Sequence, residues 1–240
     1  MTRRALIAAA LALALASCRD PGRVDARDYD SFWVWAGVDP GRRAEHARTI
    51  YLLDGEVRAG EDGRLVDLRP RVPHLRSAEV WLVVRTDTLD WRDGVVESLG
   101  PRAAAWARAG NRVAGVQIDF DARTRHLADY AAFLARVRRA LPKRFKLSIT
   151  GLMDWSANGD PQALRKLKGT VDEVVIQTYQ GRSTIWGYER YFERMRDFPM
   201  PFKVGLVENG RWIESPQLRS ERNFRGYVVF LLPERRASTN

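Results

Sequence analysis

The chain has 240 residues, 45% of them hydrophobic, and a formal net charge of +10 at pH 7. That apolar content excludes a disordered chain and suffices for a core. The 40 Lys and Arg residues are spread without a basic run. This argues against a nucleic-acid-binding protein and leaves a general attraction to anionic surfaces such as lipid head groups or acidic glycans.

Residues 1–17 read as a lipoprotein signal peptide. Arg3 and Arg4 form a charged n-region, and Ala5 to Ala16 a short, Ala-rich h-region unsuited to spanning a bilayer. The end of this stretch, Leu15-Ala16-Ser17-Cys18, resembles a bacterial lipobox. The resemblance implies cleavage before Cys18 and a diacylglycerol on its sulfur; a plain secretory signal is the alternative. Cys18 is the only cysteine, so lipid attachment also accounts for its having no disulfide partner. Residue 19 is Arg rather than the Asp that often retains such lipoproteins at the inner membrane, which favours the outer membrane of the cell envelope. Removing Arg3 and Arg4 lowers the formal charge to +8. Residues 18–30 read as the lipidated Cys and a polar tether, and residues 31–240 as one domain. No other stretch is long and apolar enough to span a bilayer.

Within the domain, eight β-rich apolar runs occur: Phe32–Val38, Thr49–Val57, Glu79–Thr86, Gly115–Asp121, Lys146–Met153, Glu173–Tyr179, Phe202–Val207 and Gly226–Leu232. Helical spacing marks Val95–Arg108, Leu127–Leu141, Gln162–Leu167, Tyr188–Met195 and Gln217–Asn223, with Gly110, Pro142, Gly169 and Pro199 as stops. Asp54–Pro73 shows no clear helix and reads as a loop. Strands alternating with helices imply a parallel sheet, and eight units in this length suggest a small closed (β/α)8 barrel. An open doubly wound sheet is the alternative, although no Gly-rich phosphate loop follows any strand.

The fourth run lies in Val113–Asp121, V-A-G-V-Q-I-D-F-D, and reads as a buried strand ending in acids. Val116, Ile118 and Phe120 alternate with Gln117, Asp119 and Asp121, so the period of two predicts one apolar face toward helices and one polar face inward. Residues two apart on a strand lie roughly 6.6 Å apart. Two carboxylates that close inside a fold cannot both ionise freely, and one pKa is raised. A protonated carboxyl beside an ionised one is what acid catalysis on a glycosidic bond requires. The alternative is that both acids pair with arginines.

In a barrel of this kind the active site lies at the C-terminal strand ends. Those ends supply Trp33 and Trp35, Asp54 and Glu56, Arg85 and Asp87, Asp119 and Asp121, Thr150 with Asp154 and Trp155, Gln177 with Tyr179 and Gln180, and Glu208 with Asn209. Only the eighth strand ends apolar. Trp and Tyr at such a rim suit sugar rings, whose faces stack on aromatics while hydroxyls bond to polar groups. For Trp35 and Trp155 simple core packing stays open. The candidate catalytic group is Asp121, Asp119 and Tyr179. Candidate substrate contacts are Gln117, Gln177, Trp35, Arg85, Thr150, Trp155 and Glu208. Tyr179 is expected to approach the acid pair with Thr150 between them.

The strand-four segment resembles the D-G-x-D-x-D-x-E signature of glycoside hydrolase family 18. Gly115 matches the Gly, Ala114 and Gln117 replace two of the acids, and Asp119 matches the Asp that supports the substrate acetamide in that family. Asp121 falls where the family has its catalytic Glu, one methylene longer. Gln177-Thr178-Tyr179-Gln180 is similar to the family's M-x-Y-D, with Tyr179 matching the Tyr and Gln180 replacing the Asp; Phe230 stands near the position of the family's strand-eight Trp. With the lipobox, the Trp-rich first strand, I-D-F-D and Q-T-Y-Q, the chain looks most like the bacterial domain of unknown function 3142. The resemblance implies a barrel fold and a site but no activity.

Two function classes follow: a glycan hydrolase, or a non-catalytic barrel that binds a glycan or a protein. The expected ligand is a glycan, with membrane contact through the lipid anchor, no nucleic acid, no cofactor, no metal and a monomeric state. His46, His74 and His126 are the only histidines, and none has metal-ligand spacing with an acid. Lipidation has a direct check. Cys18→Ala should move the protein from the membrane fraction to the soluble one, and the wild type should carry the mass of a lipid.

Overall fold

The computed structural model describes residue 20 and residues 22–75, 77–121, 127–155, 161–195 and 197–233. The signal, Cys18 and His126 lie outside these described residues.

All eight predicted runs form strands, and they close on themselves. In chain order the strands are β1 (Ser31–Val34), β2 (Thr49–Val57), β3 (Leu65–Asp67), β4 (Glu79–Thr86), β5 (Arg112–Asp119), β6 (Lys146–Leu152), β7 (Glu173–Gln177), β8 (Tyr179–Gln180), β9 (Ser183–Thr184), β10 (Phe202–Val207) and β11 (Phe224–Phe230). The barrel runs β1-β2-β4-β5-β6-β7-β10-β11, every neighbouring pair parallel. β1 is the closing strand: Trp33 pairs with Tyr51 of β2 on one side and with Phe230 of β11 on the other. The open-sheet alternative is thereby overturned. β3 is a short antiparallel addition to the end of β2.

The helices are α1 (Val95–Arg108), α2 (Leu127–Ala140), α3 (Pro161–Leu167), α4 (Glu189–Arg194) and α5 (Pro216–Ser220). α1 begins after Gly94 (φ 83°) and is followed by Gly110 (φ 91°), both in the left-handed region where glycine carries no steric penalty. α5 ends three residues short of the predicted Asn223. The first two crossovers carry no α-helix: β1 reaches β2 through a 3-10 turn at Gly41–Ala44, and β2 reaches β4 through β3. The segment read as a loop at 54–73 therefore contains that short strand.

Buried on both faces, the strands separate two cores, as expected for parallel sheets covered by helices. Outside, Val116, Ile118, Leu147, Ile149, Val174 and Ile176 belong to one cluster with Leu99 and Trp106 of α1 and Tyr130, Leu134 and Val137 of α2. Inside, Trp33, Tyr51, Leu53, Trp81, Val83, Val175 and Val228 form a second cluster. A polar chain threads the interior. Trp33 Nε1 donates to Gln117 Oε1 (2.6 Å), and Gln117 Nε2 donates to Ser148 Oγ (2.9 Å). Ser148 Oγ donates to Glu173 Oε1 (3.2 Å), which also accepts from the Tyr51 hydroxyl (2.6 Å). Lys203 Nζ completes it, 3.0 Å from the Tyr51 oxygen and 3.3 Å from Glu173 Oε2. Burial first, and then the Glu173 charge, hold the Tyr51 phenol well above its ordinary pKa, so it remains a donor.

Three irregularities interrupt the strand pairing, at β10–β11, β2–β4 and β4–β5, and the last two bear on the site. One falls between Leu53 and Gly55 in β2, leaving Asp54 as the extra residue. Asp54 therefore turns outward, fully buried, and pairs with Arg102 of α1 rather than standing at the rim as expected. The other bulge precedes Gly115, which pairs with Lys146. A Cβ at Gly115 would lie 1.9 Å from the Lys146 carbonyl oxygen and 2.6 Å from its carbon. Since backbone cannot yield as a side chain can, Gly115→Ala should destabilise the fold by about 3 kcal/mol. A lowered denaturation midpoint with an unchanged slope is the expected readout.

Candidate functional site

At the C-terminal ends of the strands lies a cavity of about 420 Å³. Its walls are Trp35 after β1, Arg85 to Asp87 around the end of β4, Asp119 to Asp121 at the end of β5, Gln177, Tyr179 and Gly181 after β7, and Phe230 of β11. A second cavity, about 750 Å³, lies beyond the β8–β9 hairpin. It is larger, but the acid pair opens into the smaller one, and the chemistry is placed there.

Asp119 is the last residue of β5, where the strand still dictates its direction. It is buried and its Oδ1 accepts from Thr150 Oγ1 at 2.9 Å; the same hydroxyl oxygen accepts from the Phe120 backbone N–H at 3.1 Å. Across β4 it stands in register with Arg85, and Arg85 with Glu56 of β2, so a carboxyl, a guanidinium and a carboxyl form one row. Burial raises the Asp119 pKa to about 6; the charges of Asp121 and Glu56 add to the rise, while the Thr150 bond and Arg85 oppose it. Asp121 lies beyond the strand and is exposed. The pair is thus unequal: the inner carboxyl holds its proton to near neutrality and the outer one meets water. Sequence alone assigns the catalytic acid to Asp121; the burial puts the raised carboxyl at Asp119.

Tyr179 is carried by the β8–β9 hairpin, which turns at Gly181 (φ 58°). Thr178, just before it, donates backbone N–H and hydroxyl to the Gly205 carbonyl and ties the hairpin to β10. The Tyr179 ring stacks on Phe230 (5.5 Å, 17°) and meets Trp33 edge-on (6.3 Å). Burial, then the charges of Asp119 and Asp121, raise its phenol pKa well above the ordinary value and keep it a neutral donor. Trp35 packs edge-on against Phe230 at 5.6 Å, with the Arg85 guanidinium 5.9 Å over the Trp35 ring. One wall is therefore aromatic and the other acidic.

Of the predicted site residues, Asp119, Asp121, Tyr179, Gln177, Trp35 and Arg85 meet at this cavity. Thr150 stands behind it and orients Asp119. Three others do not reach it. Gln117 is fully buried one step down β5, both ends of its amide engaged by Trp33 and Ser148. Trp155 is buried in the outer core, edge-on to Tyr130, because its position follows β6 on the helix side. Glu208 is buried outside the cavity, accepting from Arg43 Nη1 and the Leu232 backbone N–H, both at 2.9 Å. The reading missed Thr86, Phe120, Gly181 and Phe230. Phe120 was expected to face helices; it packs on Tyr130 and also lines the cavity, since alternation lapses where β5 ends. Phe230 was visible as the apolar end of the eighth strand, and an aromatic at a barrel rim was the signal available.

The fold is a closed (β/α)8 barrel with a polar and aromatic cavity at its rim. The chain is structurally similar to the tamarind chitinase-like lectin (TM-score 0.53, 12% identity, 84% of this chain and 94% of that one). It is also similar to the chitinase domain of the spore coat protein CotE from Clostridium difficile (TM-score 0.52, 13% identity, 82% and 70%). A third is the xylanase and alpha-amylase inhibitor protein XAIP-II from Scadoxus multiflorus (TM-score 0.50, 10% identity, 84% and 92%). Residues 80–187 match the family described as Domain of unknown function (DUF3142). That span holds I-D-F-D, Q-T-Y-Q and Arg85, while Trp35 and Phe230 of the cavity wall lie outside it. No curated protein matches the chain in sequence.

The Asp119 environment has a signature in stability. Its folded pKa is raised, so its proton is bound more tightly in the native state. The stabilisation is complete below about pH 4 and is lost as pH rises through about 6. Between those limits the wild type should lose up to about 3 kcal/mol through this group. Asp119→Asn should flatten that dependence, which denaturant titrations of both proteins at the two pH values would reveal.

Proposed function

We propose that this protein is a lipid-anchored envelope protein that binds a glycan in the Asp119–Tyr179 cavity and hydrolyses its glycosidic bond. The observation that carries the reading is a buried carboxyl with a pKa of about 6 facing a wall of Trp35, Tyr179 and Phe230. Protonation of a leaving oxygen near neutral pH requires a carboxyl raised to that range. Asp119 supplies it. Asp121, open to water, is the second carboxyl, which stabilises positive charge on the sugar or activates water. The Tyr179 hydroxyl donates to the substrate, and the aromatic wall takes sugar faces. This exchanges the roles that the family 18 resemblance implies for the two acids. The similarity in fold to a chitinase domain and a chitinase-like lectin supports a glycan ligand.

A second reading, glycan binding without turnover, is favoured by one feature. The next inward position below Asp119 is Gln117, an amide with both ends engaged, so no titratable group there relays a proton.

The test uses the chain from Arg19 onward against β-linked amino-sugar polymers and other glycans, scored for cleavage and for binding. If Asp119 is the acid, activity falls as pH rises through about 6. Asp119→Asn should then cost at least ~10² in kcat with binding retained, and that pH limb should vanish. An effect confined to Asp121→Asn, with the limb intact in Asp119→Asn, would restore the family's assignment. Binding with no turnover by the wild type would leave the second reading.

A further inference from the structure

Beyond the β8–β9 hairpin, on the side away from the acid pair, two large apolar side chains stand in water. Trp186 is 87% exposed and Ile213 is 63% exposed. Both line the second cavity, and the two segments are joined: the Tyr188 hydroxyl donates to the Ile213 carbonyl (3.2 Å) and accepts from the Ile213 N–H (2.6 Å). Tyr188 in turn stacks on the buried Trp212 at 4.7 Å. The pair is therefore presented by a rigid base rather than a slack loop. Exposed arginines Arg182, Arg190 and Arg211 surround it, with the Arg190 guanidinium 5.6 Å over the Trp186 ring. Glu189 and Glu193 share the cavity wall, so the face carries three arginines against two carboxylates.

The N-terminal segment ends at this face. The Trp212 N–H donates to the Gly22 carbonyl at 2.6 Å, and Arg23 bridges to Arg211. A Cβ on Gly22 would touch Ile213 Cγ1 at 3.6 Å, and the Asp20 carboxylate lies 3.7 Å from the Arg211 guanidinium. Cys18 precedes Asp20 by two residues in the sequence. A lipid on Cys18 would thus enter the bilayer beside Trp186 and Ile213.

From this arrangement we propose that the Trp186–Ile213 face docks on an anionic phospholipid bilayer. The indole and the isoleucine enter the head-group region, where an aromatic ring with a polar edge is favoured. The arginines meet lipid phosphates. The tether is then short because the domain lies against the membrane, with the candidate cavity's mouth one hairpin away. The argument from the tether rests on the Cys18 reading; the face itself does not.

The test removes the anchor so that the two can fail separately. The chain from Arg19 contains every strand and helix of the barrel. It is mixed with vesicles of phosphatidylcholine alone and with vesicles also containing phosphatidylglycerol. Binding should require phosphatidylglycerol, weaken with salt, and shift the tryptophan emission to the blue. Trp186→Ala should abolish the shift and weaken binding about tenfold. Ile213→Ser should weaken it less, and Arg190→Glu by about fivefold or more. These side chains are exposed, so melting temperatures should not move. The proposal is overturned if the anionic vesicles are not bound, or if Trp186→Ala binds them as the wild type does. It is equally overturned if the Trp186 emission responds to soluble oligosaccharides and not to vesicles.

Discussion

The structure depends on one closure. A parallel sheet ends in two edges of unpaired N–H and C=O groups, which must be covered or joined. β1, only Ser31–Val34, joins them by pairing with β2 and β11 at once. Its Trp33 also crosses the interior, donating to Gln117 on the opposite wall. Where that ring lies, β10 has Gly205, whose missing Cβ would otherwise come within 2.6 Å of it. Four residues therefore close the sheet and set the bore through which the inward side chains must pack.

Closure has a cost in polarity. Inward positions carry Gln117, Ser148, Glu173 and Lys203 among the aromatics, and buried polar groups without partners cost more than their bonds return. Here each hands its bond to the next strand, from Trp33 through to Lys203. The network thus satisfies itself below the rim. One step higher the pattern changes: Asp119 has Thr150 as partner, and its other oxygen has the cavity. The functional asymmetry arises from this step, because a carboxyl that is buried but only partly bonded keeps its proton longer than one in water.

The hairpin that follows β7 links the two surfaces of interest. Tyr179 and Gly181 face the acid cavity, while Arg182 and Ser183 line the cavity beyond it. The glycan reading and the membrane reading therefore meet along one short element. On these two proposals together, a glycan reaching Asp119 would do so close to a bilayer docked at Trp186.

Much of this was legible in the chain. Apolar runs bounded by glycine and proline determined the eight barrel strands and, among the described residues, the five helices named above, since burial on two faces needs continuous β-branched and aromatic residues. Alternation along β5 determined that Gln117 and Asp119 face inward. Tertiary structure decided what alternation could not carry. The bulge at Asp54 sent that carboxylate to Arg102, because one extra residue reverses the faces beyond it. Glu208 and Trp155 left the site because they lie past strand ends, where loop packing sets direction. Which carboxyl holds the proton was also decided there. Two aspartates two residues apart are equivalent in a sequence; burial first, with the charges of Asp121 and Glu56, raises Asp119 against the opposing Thr150 bond and Arg85 charge.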